Sequence, residues 1–276
     1  MPQVSDEQEI IDQLVAMSQW LGDPGRDYVI LGEGNTSARV DDERMYVKAS
    51  GARLEGITAD GFALVVRSKV LAMLDGGDPS TNSELALSPA KGQALDDSEV
   101  ERGLRESLAD PASPRRPSVE TLLHAFMLGL DGVNFVGHTH PTAVNAILCS
   151  REGMRALAGR VYPDEIVVCG MAPVLVDYVD PGVPLARAVR DATRRYSEER
   201  GYRPQAVLMQ NHGLIALGAT PTQVEAVTAT WVKTARIITG AMAFGGPRHL
   251  SEEHVRRICT RPDEAYRRKG ITGNQS

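Results

Sequence analysis

Apolar residues along this chain recur in two rhythms, every three to four positions in some stretches and every second position in others. The first period marks helices and the second half-buried strands. In SDEQEIIDQLVAMSQWLGD, residues 5–23, Ile11, Leu14, Met17 and Leu21 form one stripe, and Ser5 with Gln8 reads as a capping box. Short strand-like runs follow: YVILG (28–32), SARV (37–40), MYVKAS (45–50) and FALVVRS (62–68). The segments between them, GEGNTS, DDER and SGAR, carry turn chemistry. SKVLAMLDGG, from 68, predicts a short helix.

Residues 76–117 are polar and punctuated by Pro and Gly, which predicts a surface excursion holding one modest helix around DSEVERGLRESL. SVETLLHAFMLGL predicts a helix with Ser118 as its N-cap. VNFVGHTH (133–140) predicts a strand, and PTAVNAILCS a helix with Pro141 in its first turn. EIVVCG (165–170) and PVLVDY (173–178) read as strands, and residues 184–201 as a helix that ends at Gly201. QAVLMQ and GLIALG are strands joined through NHG in a hairpin-like turn. Residues 221–244 predict a long helix with Val224, Val227, Trp231, Ala235 and Ile238 on one face, followed by a basic tail. Helices and short strands mix without a regular βαβ rhythm, so the expected fold is a single-domain α/β/α sandwich, a mostly antiparallel sheet covered by helices.

Composition adds little. The chain has 276 residues, 42% apolar and 24% charged, with a net charge of −6 that gives no reason to expect nucleic acid or a membrane surface. Cys149, Cys169 and Cys259 are scattered, without metal-like spacing, and read as reduced, mostly buried thiols. The acidic N-terminus lacks the apolar core of a signal peptide, and no apolar run reaches membrane-spanning length. A cytoplasmic location is the expectation.

FVGHTHPTAVNAI changes the picture. At a strand end His138 and His140 point to one face and can hold a divalent cation, although an isolated H-x-H can be incidental. His212, at the turn between two strands, could meet that pair or merely bond backbone. Glu120 falls in the first turn of its helix, where the positive helix end favours a carboxylate. It reads either as a helix-start acid or as the base beside a three-histidine site. His124, one turn on, is a neighbour of that site or a core histidine. GEGNTS and KASG resemble anion cradles, in which Gly34 allows close approach and Asn35, Ser50 and Gly51 supply donors, although each alone reads as an ordinary hairpin turn. There is no GxGxxG and no Walker lysine.

These motifs occur in a familiar order: GNTS at 34–37, ASG at 49–51, PSVE at 117–120, HTHP at 138–141 and NHG at 211–213. The chain resembles the class II aldolase/adducin family, over a core of about residues 8–245, with 76–117 as an insertion and 246–276 as a tail. The resemblance implies a Zn2+-type metal, or Mn2+ or Co2+, held by His138, His140 and His212, with Glu120 a ligand that swings off to act as acid/base. It implies that Gly34, Asn35, Ser50, Gly51 and Ser118 line a phosphate pocket. It further implies that Tyr178, four residues before Gly182, is a catalytic tyrosine reaching a neighbouring subunit of a homotetramer; packing at a strand end is the other reading. The activity implied is that of a lyase of carbohydrate metabolism, a metal-dependent aldolase cleaving a sugar phosphate or related hydroxy-carbonyl compound through a metal-bound enediolate. A sugar-phosphate 4-epimerase or a 3-keto acid phosphate decarboxylase would use the same site, and an adducin-like scaffold would use none. Val119 stands where the family's pocket often has a second serine, and no Lys or Arg falls inside these motifs.

Overall fold

A computed structural model describes residues 4–75, 97–264, 266 and 270. Its strands are β1 (Asn35–Arg39), β2 (Arg44–Lys48), β3 (Phe62–Val66), β4 (Phe135–Thr139), β5 (Val174–Val176), β6 (Ala206–Met209) and β7 (Gly213–Gly218). Its helices are α1 (Val4–Leu21), α2 (Arg67–Asp75), α3 (Asp97–Glu106), α4 (Thr121–Met127), α5 (Thr142–Leu148), α6 (Gly153–Ala158), α7 (Pro163–Cys169), α8 (Val183–Arg200), α9 (Pro221–Ala241) and α10 (Glu252–Thr260). The strands form one sheet in the order β3-β2-β1-β4-β7-β6-β5. Every pairing is antiparallel except β5 with β6, so the expected mostly antiparallel α/β/α sandwich is the fold observed.

Period-two alternation divides the core between the two faces of the sheet. Val207, Met209, Ile215 and Leu217 point to the face covered by α2, α3, α4 and α8. Ala206, Leu208, Leu214 and Ala216 point to the opposite face, covered by α1, α5, α7 and α9. The apolar stripes of α1 and α9 are buried as expected. The capping box of α1 involves Ser5, whose side chain lies outside those described.

The structure departs from the expected elements in several places. EIVVCG is helix, not strand: Pro163 opens α7, Asp164 and Glu165 occupy its first turn, and Gly170 follows it at φ 75°. Those are helix-boundary signals. The run is apolar all round because α7 packs between α9 and α10. YVILG is an irregular segment: Leu31 lies at φ 53°, and Ile30 and Leu31 are exposed while Tyr28 and Val29 are buried. Within the expected excursion, 76–96 lies outside the described residues. The helix is present as α3, and the returning chain lies along β3 rather than away from it, with Val66 N–H donating to Ser107 O and Ala109 N–H to Leu64 O. Residues 252–260 of the tail form α10, which covers α7.

One ion pair fixes α7 beneath the sheet's second face. Arg160 and Glu165, both fully buried, lie 3.0 Å apart. The guanidinium also donates to the carbonyls of Cys169 and Gly170, which caps the carboxyl end of α7. Removing one member of a buried pair leaves an uncompensated charge, at about 3–5 kcal/mol. Glu165→Leu is therefore expected to lower unfolding free energy in urea by about 3–5 kcal/mol, and Arg160→Met in the same chain to restore most of it.

Candidate metal centre

Three backbone devices bring three imidazoles to one end of the sheet. Strand β4 places His138 opposite Asn35 of β1 and Ile215 of β7, on the face covered by α4. Its Nδ1 lies 3.0 Å from the Leu214 carbonyl, which turns Nε2 inward. The chain leaves β4 at His140, whose N–H donates to the carbonyl of Tyr28 in the irregular segment. His212 stands in the turn between β6 and β7, where Asn211 takes φ 53° and Asn145 donates to the His212 carbonyl at 2.9 Å. The glycine of NHG has a different task from a positive φ: a Cβ on Gly213 would come within 2.6 Å of His140 Cδ2 and of the Thr139 carbonyl.

The three ligand-type nitrogens converge. Nε2 of His138 lies 3.0 Å from Nε2 of His140 and 3.2 Å from Nε2 of His212. Nitrogens held at ~2.0–2.1 Å around a tetrahedral zinc-type cation would be about 3.3 Å apart. The donor set and its spacing therefore suit such a cation.

Glu120 completes the cluster from the other element. It occupies the N-cap position of α4 and not the first turn, in helical conformation and without a capping bond from its side chain. Ser118 is not the N-cap: its carbonyl accepts the Thr121 N–H, and the helix begins three residues beyond it. Oε1 of Glu120 lies 3.3 Å from His212 Nε2 and 3.6 Å from His138 Nε2, and Oε2 accepts a hydrogen bond from Asn35 Nδ2. Burial works against the charged carboxylate, but His138 and His212 outweigh it and hold the Glu120 carboxyl well below its ordinary range. Burial likewise works against a charge on His138, yet the Glu120 carboxylate raises it. Burial and the neighbouring His138 and His212 push His140 down to about 3. His124 is fully buried, with Nδ1 2.7 Å from Ser37 Oγ and Nε2 without a protein partner. Burial, then the charge on His138, lowers it to about 3.

The expected cradle residues separate into two groups. Gly34 is buried at φ 69°, and a Cβ there would meet the His138 carbonyl at 2.7 Å, so its missing side chain admits strand β4. Asn35 serves Glu120. Ser50 and Ser118 instead line a cavity of about 630 Å³, together with Val119, the residue before Glu120, and the turn at 180–184. Gly51 is exposed at φ 82°. Tyr178 stands 54% exposed, and its hydroxyl donates to Asp180 at 3.0 Å rather than to a group of the cluster.

Sequence reasoning passed over two basic groups. Lys48, first residue of KASG, is buried, and its ammonium donates to the carbonyls of Gly32 and Ala52, tying the two glycine-bearing loops together. Burial lowers its pKa, and the Glu120 charge opposes that. Arg116 lines the cavity with Ser50 and Ser118. A lysine ending an apolar strand and an arginine just before PSVE were the available signals. The cysteines are free, and Cys149 is exposed, not buried.

Residues 12–239 match the family of class II aldolase and adducin N-terminal domains. The chain belongs to that family. As a class II aldolase family member it matches the N-terminal class II aldolase domain of a conserved protein from Thermoplasma acidophilum, at 24% identity and TM-score 0.62 over 87% of this chain and 96% of that one. An L-fuculose 1-phosphate aldolase superposes with TM-score 0.64 at 18% identity, over 94% of this chain and 96% of that one. A sugar-phosphate aldolase from Thermotoga maritima gives 0.60 at 16%, over 87% and 98%. At these identities the likeness is one of fold. A curated relative, the uncharacterized oxidoreductase YuxG of Bacillus subtilis (strain 168), is 27% identical over 90% of this chain, which spans 33% of that protein's length. Family membership supports an enzyme of this superfamily and a divalent metal. Among the described residues no helix is long and apolar enough to cross a membrane.

The buried His124 makes stability depend on pH. Below about pH 6.5 the unfolded chain takes up a proton at this imidazole that the folded chain refuses until about pH 3. Stability attributable to His124 is thus complete above pH 6.5 and falls as pH drops through that window, by about 1.4 kcal/mol per pH unit. His124→Asn is expected to flatten the pH dependence of urea unfolding between pH 6 and 4 by about one proton's slope.

Proposed function

We infer that this family member is a metal-dependent aldolase, a carbon–carbon lyase that cleaves a phosphorylated hydroxy-carbonyl compound to a three-carbon ketone phosphate and an aldehyde. The observation that carries the reading is the approach of the His138, His140 and His212 nitrogens to 3.0–3.2 Å with the Glu120 carboxylate at 3.3–3.6 Å. A scaffold has no use for such a partly buried quartet. A divalent cation held by the three imidazoles supplies Lewis-acid polarisation of the substrate's carbonyl.

The chain's own groups do the rest. Nδ1–H of His138 donates to the Leu214 carbonyl, which leaves the Nε2 lone pair free for a metal. In cleavage the hydroxyl at the carbon that becomes the aldehyde gives up its proton as the carbon–carbon bond breaks. Glu120, ionised at the outset, receives a proton and delivers it to the carbon left as the enediolate, and in synthesis it takes that proton back. Asn35 holds its second oxygen and so aims the first. Ser50 and Ser118, which line the cavity with Val119, would face the phosphate end of the substrate. The exposure of Tyr178, just beyond β5, supports the reading that it serves the aldehyde oxygen in a neighbouring subunit of a homotetramer.

His138→Ala, His140→Ala and His212→Ala are each expected to emerge folded and without stoichiometric metal by elemental analysis, whereas Glu120→Gln keeps a folded chain and loses about 10²-fold or more in turnover. Full metal occupancy in two of the three histidine variants would overturn the reading. Product analysis separates the outcomes open to one site: two carbon fragments mark an aldolase, a single isomer an epimerase, and CO₂ a decarboxylase.

Hybrid oligomers test the tyrosine. Tyr178→Phe is expected to slow cleavage with metal content unchanged. Mixed with Glu120→Gln subunits under exchange, it should recover part of the activity, because some boundaries then pair an intact Glu120 with an intact Tyr178. Hybrids of demonstrated composition that stay inactive would assign Tyr178 to its own subunit or to no role.

A further inference from the structure

The cavity that reaches Val119, the residue before Glu120, is lined by two kinds of polar group. Ser50, Ser118 and Arg116 bring donors, and Asp97 and Glu101 of α3 bring carboxylates. Arg116 is held there by its backbone: its carbonyl accepts the Ser50 N–H at 2.7 Å, and Pro117 bridges to Ala49. The guanidinium reaches Glu101, with Nη2 2.8 Å from Oε1. Beside it Ser118 Oγ is buried and has no protein partner, so one hydroxyl in this wall is left to a ligand. Val119, 40% exposed in the same wall, offers methyl groups.

Hydroxyls and backbone N–H groups share a phosphate's charge but do not neutralise it. A guanidinium does, and it meets the planar edge of phosphate with two parallel hydrogen bonds. The Ser50 N–H is already committed to Arg116, which leaves this corner more dependent on a side-chain cation. The Arg116–Glu101 pair is 57% and 52% exposed, so solvent screens it and little is lost on breaking it.

We propose that Arg116 is the residue that selects the anionic end of the substrate, and that Glu101 is its built-in competitor. A phosphate monoester, carrying about −1.5 to −2 at neutral pH, displaces the singly charged Glu101 carboxylate from the guanidinium. A carboxylate ligand brings no charge advantage over Glu101 and is rejected. Selection is thus for a dianion. The inference rests on the phosphorylated-substrate reading above.

Calorimetric titration of the full-length protein with inorganic phosphate at neutral pH tests it without turnover. Arg116→Gln is expected to weaken phosphate binding about ten- to a hundredfold, on the scale of a hydrogen bond to a charged group, and Arg116→Lys to keep part of the affinity. Glu101→Gln is expected to tighten binding several-fold in the parent and to change nothing in the Arg116→Gln chain. Acetate as second probe is expected to gain more than phosphate does from Glu101→Gln. Both side chains are more than half exposed, so all variants should fold, as circular dichroism will show. Equal phosphate affinity in the parent and in Arg116→Gln overturns the proposal, as does weaker binding in Glu101→Gln or no phosphate binding in any variant. A failure of the lyase reading instead shows in metal content and products, and leaves these titrations unchanged.

Discussion

Three imidazole rings occupy a space at the end of one sheet that ordinary side chains would fill, and the local structure is shaped by making room for them. Glycine provides the room twice, at different distances from the rings. Gly213 has no Cβ because one would strike His140, and Gly34 has none because one would strike the backbone that carries His138. The same constraint explains why Asn211 and Leu31 tolerate positive φ: the turn must present His212, and the irregular segment must bring the Tyr28 carbonyl to the His140 N–H. A strand at 28–32 would have satisfied the apolar pattern, but the backbone there is bent to hold the ligand end of β4.

Crowding polar groups at a sheet end has an energetic consequence. Glu120, His138, His124 and Lys48 are all wholly or mostly buried, and each depends on a partner to offset desolvation. Glu120 and His138 offset one another, and Lys48 relies on two carbonyls and the field of Glu120. His124 keeps one nitrogen bonded and one unpaired, and stays neutral. A sheet whose strands are buried on both faces, under α2, α3, α4 and α8 on one side and α1, α5, α7 and α9 on the other, supplies the apolar burial that such a cluster requires.

Much of this was legible in the sequence, for identifiable reasons. Long stripes such as Val224–Ile238 carry their own period, and so do β6 and β7, so the main layers could be read directly. The histidine cluster was legible because its members fall at strand ends, where the motif order of the class II aldolase/adducin family also places them. EIVVCG was misread because an apolar run of strand length looks alike on a fully buried helix; the Pro163 and Gly170 that flank it were the better evidence. Gly34 and Asn35 were read only as an anion cradle because sequence does not show that Gly34 admits a neighbouring strand or that Asn35 bonds Glu120. Lys48 and Arg116 were missed because burial and approach to a cavity are tertiary properties.

The division of labour within the site follows from which segments build it. The histidines and Glu120 stand on β4, on the β6–β7 turn and at the start of α4, elements locked into the sheet and its cover. The cavity lined by Ser50 and Ser118 also draws on α3 and the turn before α8, segments that lie outside the sheet. A change in α3 can therefore alter the charge lining the cavity without moving an imidazole, because among the described residues no backbone hydrogen bond of the metal centre runs through it.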